Sequence, residues 1–146
     1  MSTGQTVALI TERPIRAEEL VDFVGAPGHG ATAVFVGTIR NSHDGRAVKA
    51  VHFDCFRPLA EKMLGDIAAE AAAKWKARVA VAHRLGRLDA GQVSIGVAAG
   101  TAHRAEAFEA CRFVIEAVKA RLPVWKQELY ADGSSRWLDG CALAER

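Results

Sequence analysis

Apolar and polar residues alternate in several short runs of this chain, and the alternation predicts β-strands. Residues 6–12 form the first run, and the β-branched run at 31–40 is typical of a buried strand. The turn-rich segment NSHDGR follows at 41–46, and the alternating run VKAVHFDCF occupies 48–56. The two runs on either side of NSHDGR therefore predict a hairpin with a long, mobile loop.

Helical spacing replaces alternation in three other segments. Residues 17–24 predict a short helix after Pro14, and Pro58 suits the first turn of a long helix. A second long helix is predicted from about residue 102 to residue 121, with Pro123 ending it. The apolar positions at helical spacing are Leu59, Met63, Ile67, Ala71 and Trp75 in the first long helix, and Phe108, Cys111, Ile115, Val118 and Leu122 in the second.

The remaining segments predict further strands. Runs 78–88 and 92–101, joined at 89–91, predict a hairpin of three-residue type, and residues 123–137 predict a strand and a turn. Strands interspersed with helices and joined by short turns indicate an α+β fold with a mostly antiparallel or mixed sheet and two long helices. A length of 146 residues without repeat or linker predicts a single domain, 1–146.

Composition excludes several classes of protein. The apolar runs are shorter than the ~18 residues of a membrane span, and the first residues do not form a basic stretch followed by an apolar one, so we expect a soluble, cytoplasmic protein. A net charge of +2 is too small to indicate nucleic acid as a ligand. Cys55, Cys111 and Cys141 show neither metal nor disulfide spacing, so we expect reduced thiols, no metal and no cofactor.

Basic side chains are the main candidates for chemistry. Arg40 ends a strand-like run, while His103 and Arg104 open the second long helix, where free backbone N–H groups and the helix dipole favour a phosphate. A solvated first turn is the alternative for that pair. Lys119 lies near the end of the same helix, where interaction with the dipole is the favoured explanation when the residue is taken alone.

Lys126 lies on the last predicted strand. Alternation places it with Val124 and Glu128 on one face, and places Gln127 on the other. An edge-strand lysine that discourages aggregation is the alternative interpretation. His83, on a different predicted strand, fits a structural histidine better than a catalytic one.

Several separated motifs point to one family over residues 6–139. They are AVFVGTIRN with the DGR that follows it, AHRLGRLDAGQVSIGVA, TAHRAEAFEACRFVIEAVKARLPVWKQE and DGSSRW. The third motif is the most specific, because it combines AHR with a downstream PVWK. In these motifs the chain resembles the large, catalytic subunit of molybdopterin synthase.

The resemblance implies an α/β hammerhead-type fold and a homodimer of large subunits at the core of a heterotetramer. Each large subunit would bind a small ubiquitin-like subunit, whose C-terminal Gly-Gly thiocarboxylate delivers sulfur. The implied substrate is cyclic pyranopterin monophosphate, and two sulfur deliveries give the dithiolene of molybdopterin in molybdenum cofactor biosynthesis. One departure is that Phe53 and Leu59 stand where the family usually has a tyrosine-acid pair and often a methionine, which concerns packing near the partner groove.

The resemblance also implies the residues of the site. Lys119 and Lys126 would be catalytic, with Lys119 as the acid/base group and Lys126 holding charge on the substrate or thiocarboxylate; burial and cationic neighbours would lower the pKa of such a lysine. The residues expected to bind substrate are Thr38, Ile39, Arg40, His103, Arg104, Lys119, Lys126, Gln127 and Glu128.

Helix geometry constrains how these residues can meet. His103 and Lys119 are sixteen positions apart on one predicted helix, so their Cα atoms are separated by about 24 Å. Both cannot contact one small pterin from the same chain. If the implied roles hold, the site is shared between two subunits of a dimer.

Two other functions remain open from the sequence. The first is a non-catalytic scaffold for a ubiquitin-like partner, against which the set of basic residues argues. The second is a phosphate-metabolite binder or transferase that uses Cys55 or Cys111. Exchange of these cysteines for serine distinguishes the second function, since a partner that supplies the sulfur makes both thiols dispensable.

Overall fold

Two β-sheets and three helices form the part of the chain that the structure, a computed structural model, describes: residues 5–139. The α+β class is confirmed, and so are the short helix and the two long ones. The elements in chain order are β1 (Thr6–Thr11), α1 (Ala17–Val24), β2 (Ala31–Thr38), β3 (Ser42–His43), β4 (Arg46–Cys55), α2 (Arg57–Trp75), β5 (Arg78–Arg84), β6 (Gly86–Asp89), β7 (Val93–Thr101), α3 (Arg104–Arg121), β8 (Val124–Tyr130) and β9 (Ser135–Asp139).

The first sheet is mixed and is covered by helices on both faces. Its strand order is β1-β5-β7-β2, with β1 parallel to β5 and the other neighbours antiparallel. Successive residues of a strand point to opposite faces. Val79 and Val81 therefore join the core with α2 and α3, while Ala80 and Ala82 pack against Leu20 and the rest of α1.

The two long helices bury many alanines together with a few larger side chains, such as Leu64, Ile67 and Val114. Leu59 and Phe108, which were predicted to face the core, are 44% and 66% exposed. Alanine at the contact lets two helices and a sheet approach closely, and the buried stripes overlap the predicted ones at Ile67, Ala71, Cys111, Val118 and Leu122. The buried residues are Ala60, Leu64, Ile67, Ala68, Ala71 and Ala72 in α2, and Ala107, Ala110, Cys111, Val114, Ala117 and Val118 in α3.

The prediction of a buried strand at 31–40 was wrong in its burial. β2 ends at Thr38 and lies at the edge of the first sheet, paired with β7 on one side. Val34, Phe35 and Val36 are all exposed. A β-branched run therefore marks an edge strand whose apolar surface is uncovered in the single chain.

The predicted hairpin around NSHDGR was also wrong. β2 belongs to the first sheet, whereas β4 belongs to the second, whose order is β3-β4-β8-β9 with β6 also paired to β4. NSHDGR instead forms β3 and a tight turn, in which Asp44 and Gly45 have φ of 52° and 76°. Positive φ at both central residues is the two-residue turn that suits the twist of a hairpin, so β3 pairs directly with β4.

The run at 78–88 divides between the two sheets. β5 pairs with β7 as predicted, but the chain bends at Leu85 and Gly86, where φ is +91°, and β6 then pairs with β4. The turn at 89–91 is present, with Gln92 N–H donating to the Asp89 carbonyl. Because β6 and β7 lie in different sheets, that turn does not close the predicted three-residue hairpin.

The helices within residues 5–139 lack the combination of length and apolar character that would let one cross a bilayer.

Candidate functional site

A cavity of about 480 Å³ lies where the second sheet meets the end of α3 and the first sheet. The chain passes from the first sheet to the second at the bend after β5, and residues of both sheets line the cavity. The lining residues are Thr38, Ile39, Arg40, Ser42, His43, Val48, Val51, Phe53, His83, Ser94, Ile95, Glu116, Val118, Lys119, Leu122, Val124, Lys126 and Glu128.

Three cationic side chains line this cavity, and each is placed by a different element. Arg40 follows the buried Ile39, whose N–H donates to the Gln92 carbonyl and whose carbonyl accepts from Gly91 N–H. Lys119 lies in the last turn of α3, and Lys126 lies on β8. Three different segments, two of which are adjacent in the chain, thus bring three positive charges to one cavity.

Partial burial lowers the pKa of both lysines. Burial lowers the pKa of Lys126, and the nearby charges of Lys119 and Arg40 lower it further, while Glu128 opposes the shift. Burial also lowers the pKa of Lys119, although that residue lies at the exposed rim. Both lysines therefore give up a proton more readily than a fully solvated lysine, and both attract an anion that would relieve the crowding of charge.

Glu128 is a buried carboxylate with a 3% exposed surface, and it lies on the same face of β8 as Lys126. Its Oε1 accepts hydrogen bonds from His43 Nδ1 at 2.9 Å and from the Tyr130 hydroxyl at 2.7 Å. Its Oε2 lies 3.8 Å from Lys126 Nζ. Burial raises the pKa of Glu128, but the two hydrogen bonds and Lys126 outweigh burial and lower it overall, so the carboxylate stays ionised.

His83 also lines the cavity, which the sequence did not indicate. Burial lowers the pKa of His83 to about 4, so the imidazole is neutral near pH 7. Its Nδ1 lies 3.0 Å from the Arg84 carbonyl oxygen, which fixes Nδ1 as the donor. The ring contacts Phe53 edge-on, with the centroids 5.1 Å apart. Alternation along β5 gave its face, but only the bend after Arg84 brings it to the cavity.

The thiols have properties that disfavour a nucleophilic role. Burial raises the pKa of Cys111 to about 11, and burial together with Asp54 raises the pKa of Cys55. A raised pKa lowers the thiolate fraction, and neither residue lines the cavity. Cys141 lies outside the described residues. In residues 5–139, His, Cys, Asp and Glu form no group of three that could hold a metal ion.

Comparison with known proteins identifies the family. A family model described as "MoaE protein" matches residues 10–121, most of the chain. The chain belongs to the MoaE family. The resemblance inferred from the motifs is therefore confirmed.

Individual relatives of this MoaE-family chain agree in name and fold. The molybdopterin synthase catalytic subunit of Nostoc sp. is 40% identical over 131 residues, covering 88% of this chain and 79% of the relative. The X-ray structure of molybdopterin synthase from Staphylococcus aureus has a TM-score of 0.84 at 31% identity, covering 88% of this chain and 94% of that one. A chain from the Helicobacter pylori complex of subunits 1 and 2 of molybdopterin-converting factor has a TM-score of 0.72 at 24% identity, covering 90% and 88%, and it shows the fold alone.

This MoaE-family chain brings six of the nine predicted substrate-binding residues to one cavity: Thr38, Ile39, Arg40, Lys119, Lys126 and Glu128. Gln127 points to the other face of β8 and donates to Ser135 Oγ at 3.1 Å. His103 and Arg104 lie exposed at the start of α3, and the Thr101 hydroxyl donates to the His103 carbonyl. The start of α3 is thus remote from the cavity that its own last turn lines.

Proposed function

We propose that the chain is the catalytic subunit of a molybdopterin synthase. It would receive two sulfur atoms from the C-terminal thiocarboxylate of a small ubiquitin-like protein and add them to cyclic pyranopterin monophosphate, giving the dithiolene of molybdopterin. The convergence of Arg40, Lys119 and Lys126 on one cavity carries the proposal. A cyclic phosphate and a thiocarboxylate are both anions, and a partly buried cluster of cations stabilises both.

The two lysines have different surroundings, which supports different roles. Lys126 has the Glu128 carboxylate 3.8 Å away, and this carboxylate favours its charged form. For Lys119 burial alone shifts the pKa, and the direction is down. Lys119 is therefore the better acid/base group for the proton transfers that accompany sulfur addition and opening of the phosphate ring, and Lys126 is the better fixed cation.

A two-fold dimer through β2 would complete this site. Along the β2–β7 pair, Ala31 lies opposite Thr101 at one end, while Thr38 lies opposite Val93 at the other. His103 and Arg104 follow the first end and Arg40 follows the second, so the two groups are separated by the length of β2, about 25 Å. Antiparallel pairing of two β2 edges would reverse one strand against the other and bring the partner's first end beside this chain's second end.

The exposed surface of β2 supports this dimer. Val34, Phe35 and Val36 form an uncovered apolar run on a strand whose second edge pairs with no other described strand. β1 is the opposite edge of the same sheet, but the cavity and the start of α3 both lie at the ends of β2. Contact through β2 thus covers the apolar run and joins the two halves of the predicted site.

Reconstitution tests the proposed reaction. The protein is mixed with cyclic pyranopterin monophosphate and a small subunit that carries a C-terminal thiocarboxylate, and the dithiolene product is assayed. We expect product with the thiocarboxylate and none with the ordinary carboxylate form. A chain that binds the small subunit tightly but gives no product is the scaffold instead, and the proposed catalytic role is then wrong.

Mixing two inactive variants tests the shared site. Hybrids of Arg104→Ala and Lys119→Ala chains contain one doubly damaged site and one intact site. With free exchange half of the dimers are hybrids, so the mixture should recover about a quarter of wild-type activity. Hybrids that form, as seen by mass spectrometry of tagged chains, but remain inactive would exclude action across the interface.

A pair of charged variants tests the surface itself. Val34→Lys places a charge on the β2 edge, and we expect monomers by light scattering and loss of turnover. Leu9→Lys is the matched control, because Leu9 is equally exposed but lies on β1 at the opposite edge. Leu9→Lys should remain a dimer. If Val34→Lys also remains a dimer, the chains associate through another surface.

A further inference from the structure

The hairpin that β3 makes with β4 reaches Lys126 through a buried carboxylate. His43, at the end of β3, donates to Glu128 Oε1 at 2.9 Å, and the Tyr130 hydroxyl donates to the same oxygen at 2.7 Å. Glu128 Oε2 remains for Lys126, 3.8 Å away. One oxygen of the Glu128 carboxylate is thus held by His43 and Tyr130, and the other oxygen faces Lys126.

Further contacts hold the β3–β4 hairpin in place beside the Glu128 carboxylate. His43 lies next to the tight turn at Asp44 and Gly45, whose backbone fixes its direction. On β4, the Arg46 guanidinium stacks 3.5 Å from the Tyr130 ring centroid and donates to Ser134 Oγ at 2.6 Å. These contacts place His43 and Tyr130 on Glu128 from two sides, so the carboxylate has one well-defined orientation.

We propose that His43 is a positioning residue, which acts through Glu128 to orient Lys126 and to keep it charged in the cavity. Glu128 is then the support for Lys126. This inference rests on the proposed function for its effect on turnover. Its effect on Lys126 exists in the free protein and is independent of the reaction.

The charges around the cavity explain why Lys126 requires this support. Lys119 and Arg40 both disfavour its positive charge, and burial does so more strongly. Glu128 is the group that opposes them, and its own charge depends on the hydrogen bonds from His43 and Tyr130. Loss of the His43 donor leaves the buried carboxylate under-bonded, so it turns or takes up a proton, and Lys126 then loses its counter-charge.

Three single variants separate positioning from general structural damage. His43→Ala removes the donor, and His43→Asn restores an N–H donor at a similar distance from the backbone. His52→Ala is the control, because His52 lies on β4 near Trp137, on the face remote from the cavity. Each variant is checked for an unchanged thermal transition, and the Lys126 pKa is measured by NMR of ¹³C-labelled lysine side chains.

We expect a lower Lys126 pKa and about tenfold weaker binding of cyclic pyranopterin monophosphate in His43→Ala, partial recovery in His43→Asn, and no change in His52→Ala. In a Lys126→Met background, His43→Ala should change binding little further, since its route of action is gone. A folded His43→Ala protein with an unchanged Lys126 pKa overturns the proposal. So does an equal, tenfold loss of binding in the Lys126→Met background. If the Lys126 pKa falls in His43→Ala but reconstitution with the wild-type chain gives no product, the proposed function fails and the positioning role stands.

Discussion

The two sheets of this protein differ in what they bury. The first sheet packs against α2 and α3 through valine, isoleucine, leucine and alanine side chains. The second sheet has a small apolar cluster around Val51 and Leu88, and next to it buries an ionised carboxylate with its hydrogen-bond donors. The first arrangement stabilises the fold through apolar burial. The second lowers stability, because burying a charged group costs free energy, but it places that charge beside the cavity. Stability and chemistry are therefore largely separate in this chain.

The largest effect should come from Lys119→Ala. Removing a group that transfers protons lowers turnover by about 100- to 10,000-fold, while the thermal transition should stay within about 1 °C, because alanine is a good helix former at this exposed position. Single-turnover assays of the reconstituted enzyme, with calorimetry of the same samples, measure both. Turnover near the wild-type level in a folded variant would remove Lys119 from the acid/base role.

Leu64→Ala should show the opposite behaviour. Leu64 lies on α2 and is fully buried in the core that includes the first sheet. Its truncation leaves a cavity and lowers the free energy of unfolding by about 3 kcal/mol. Activity per folded molecule should remain close to that of the wild type at low temperature. Denaturant titration and turnover at 15 °C check the two parts. A large loss of turnover in the folded variant would show that the core and the site are coupled.

His83 lies between the two regions and should link stability to pH. Its pKa falls from 6.5 to about 4 on folding, so the unfolded chain takes up a proton that the folded chain does not. Stability from this group is present above pH 6.5, is lost as the pH falls towards 4, and amounts to about 3 kcal/mol at most. His83→Phe should flatten this part of the stability curve. The free energy of unfolding is measured by denaturant titration at each pH. If it falls as steeply between pH 6.5 and 4 in His83→Phe as in the wild type, this role of His83 is wrong.

The smallest effect should come from Cys55→Ser. Cys55 is half-buried outside the cavity, and its thiol has a raised pKa. A partner that carries the sulfur makes this thiol dispensable, so we expect turnover within about twofold of the wild type and a change in stability below about 1 kcal/mol. A loss of turnover comparable to that of Lys119→Ala would favour the transferase that uses a cysteine.

Local patterns predicted the elements well, because they depend on residues close in sequence. The helix at 17–24 has its predicted bounds, and alternation placed Lys126 and Glu128 on one face and Gln127 on the other. Sheet membership depends on pairing between distant residues, which periodicity does not contain. This is why β2 and β4 were wrongly predicted to pair, and why the exposed surface of β2 was missed.

The site shows the same limit. The motifs supplied Arg40, Lys119 and Lys126, but His43 and His83 became visible only in three dimensions. His43 contacts a residue 85 positions away, and no local pattern connects the two. Aspartate and glycine in sequence at 44–45 do predict a tight turn, so that signal was available, and it would have placed His43 at the end of a short strand.

The bend at Leu85 and Gly86 limits how the molecule can move. Because β5 and β6 are one continuous piece of chain shared by both sheets, any change in the angle between the sheets has to be absorbed by the backbone at this bend. Amide exchange should therefore be slower in β5, which pairs with both β1 and β7, than in β6, which pairs with β4 alone among the described strands.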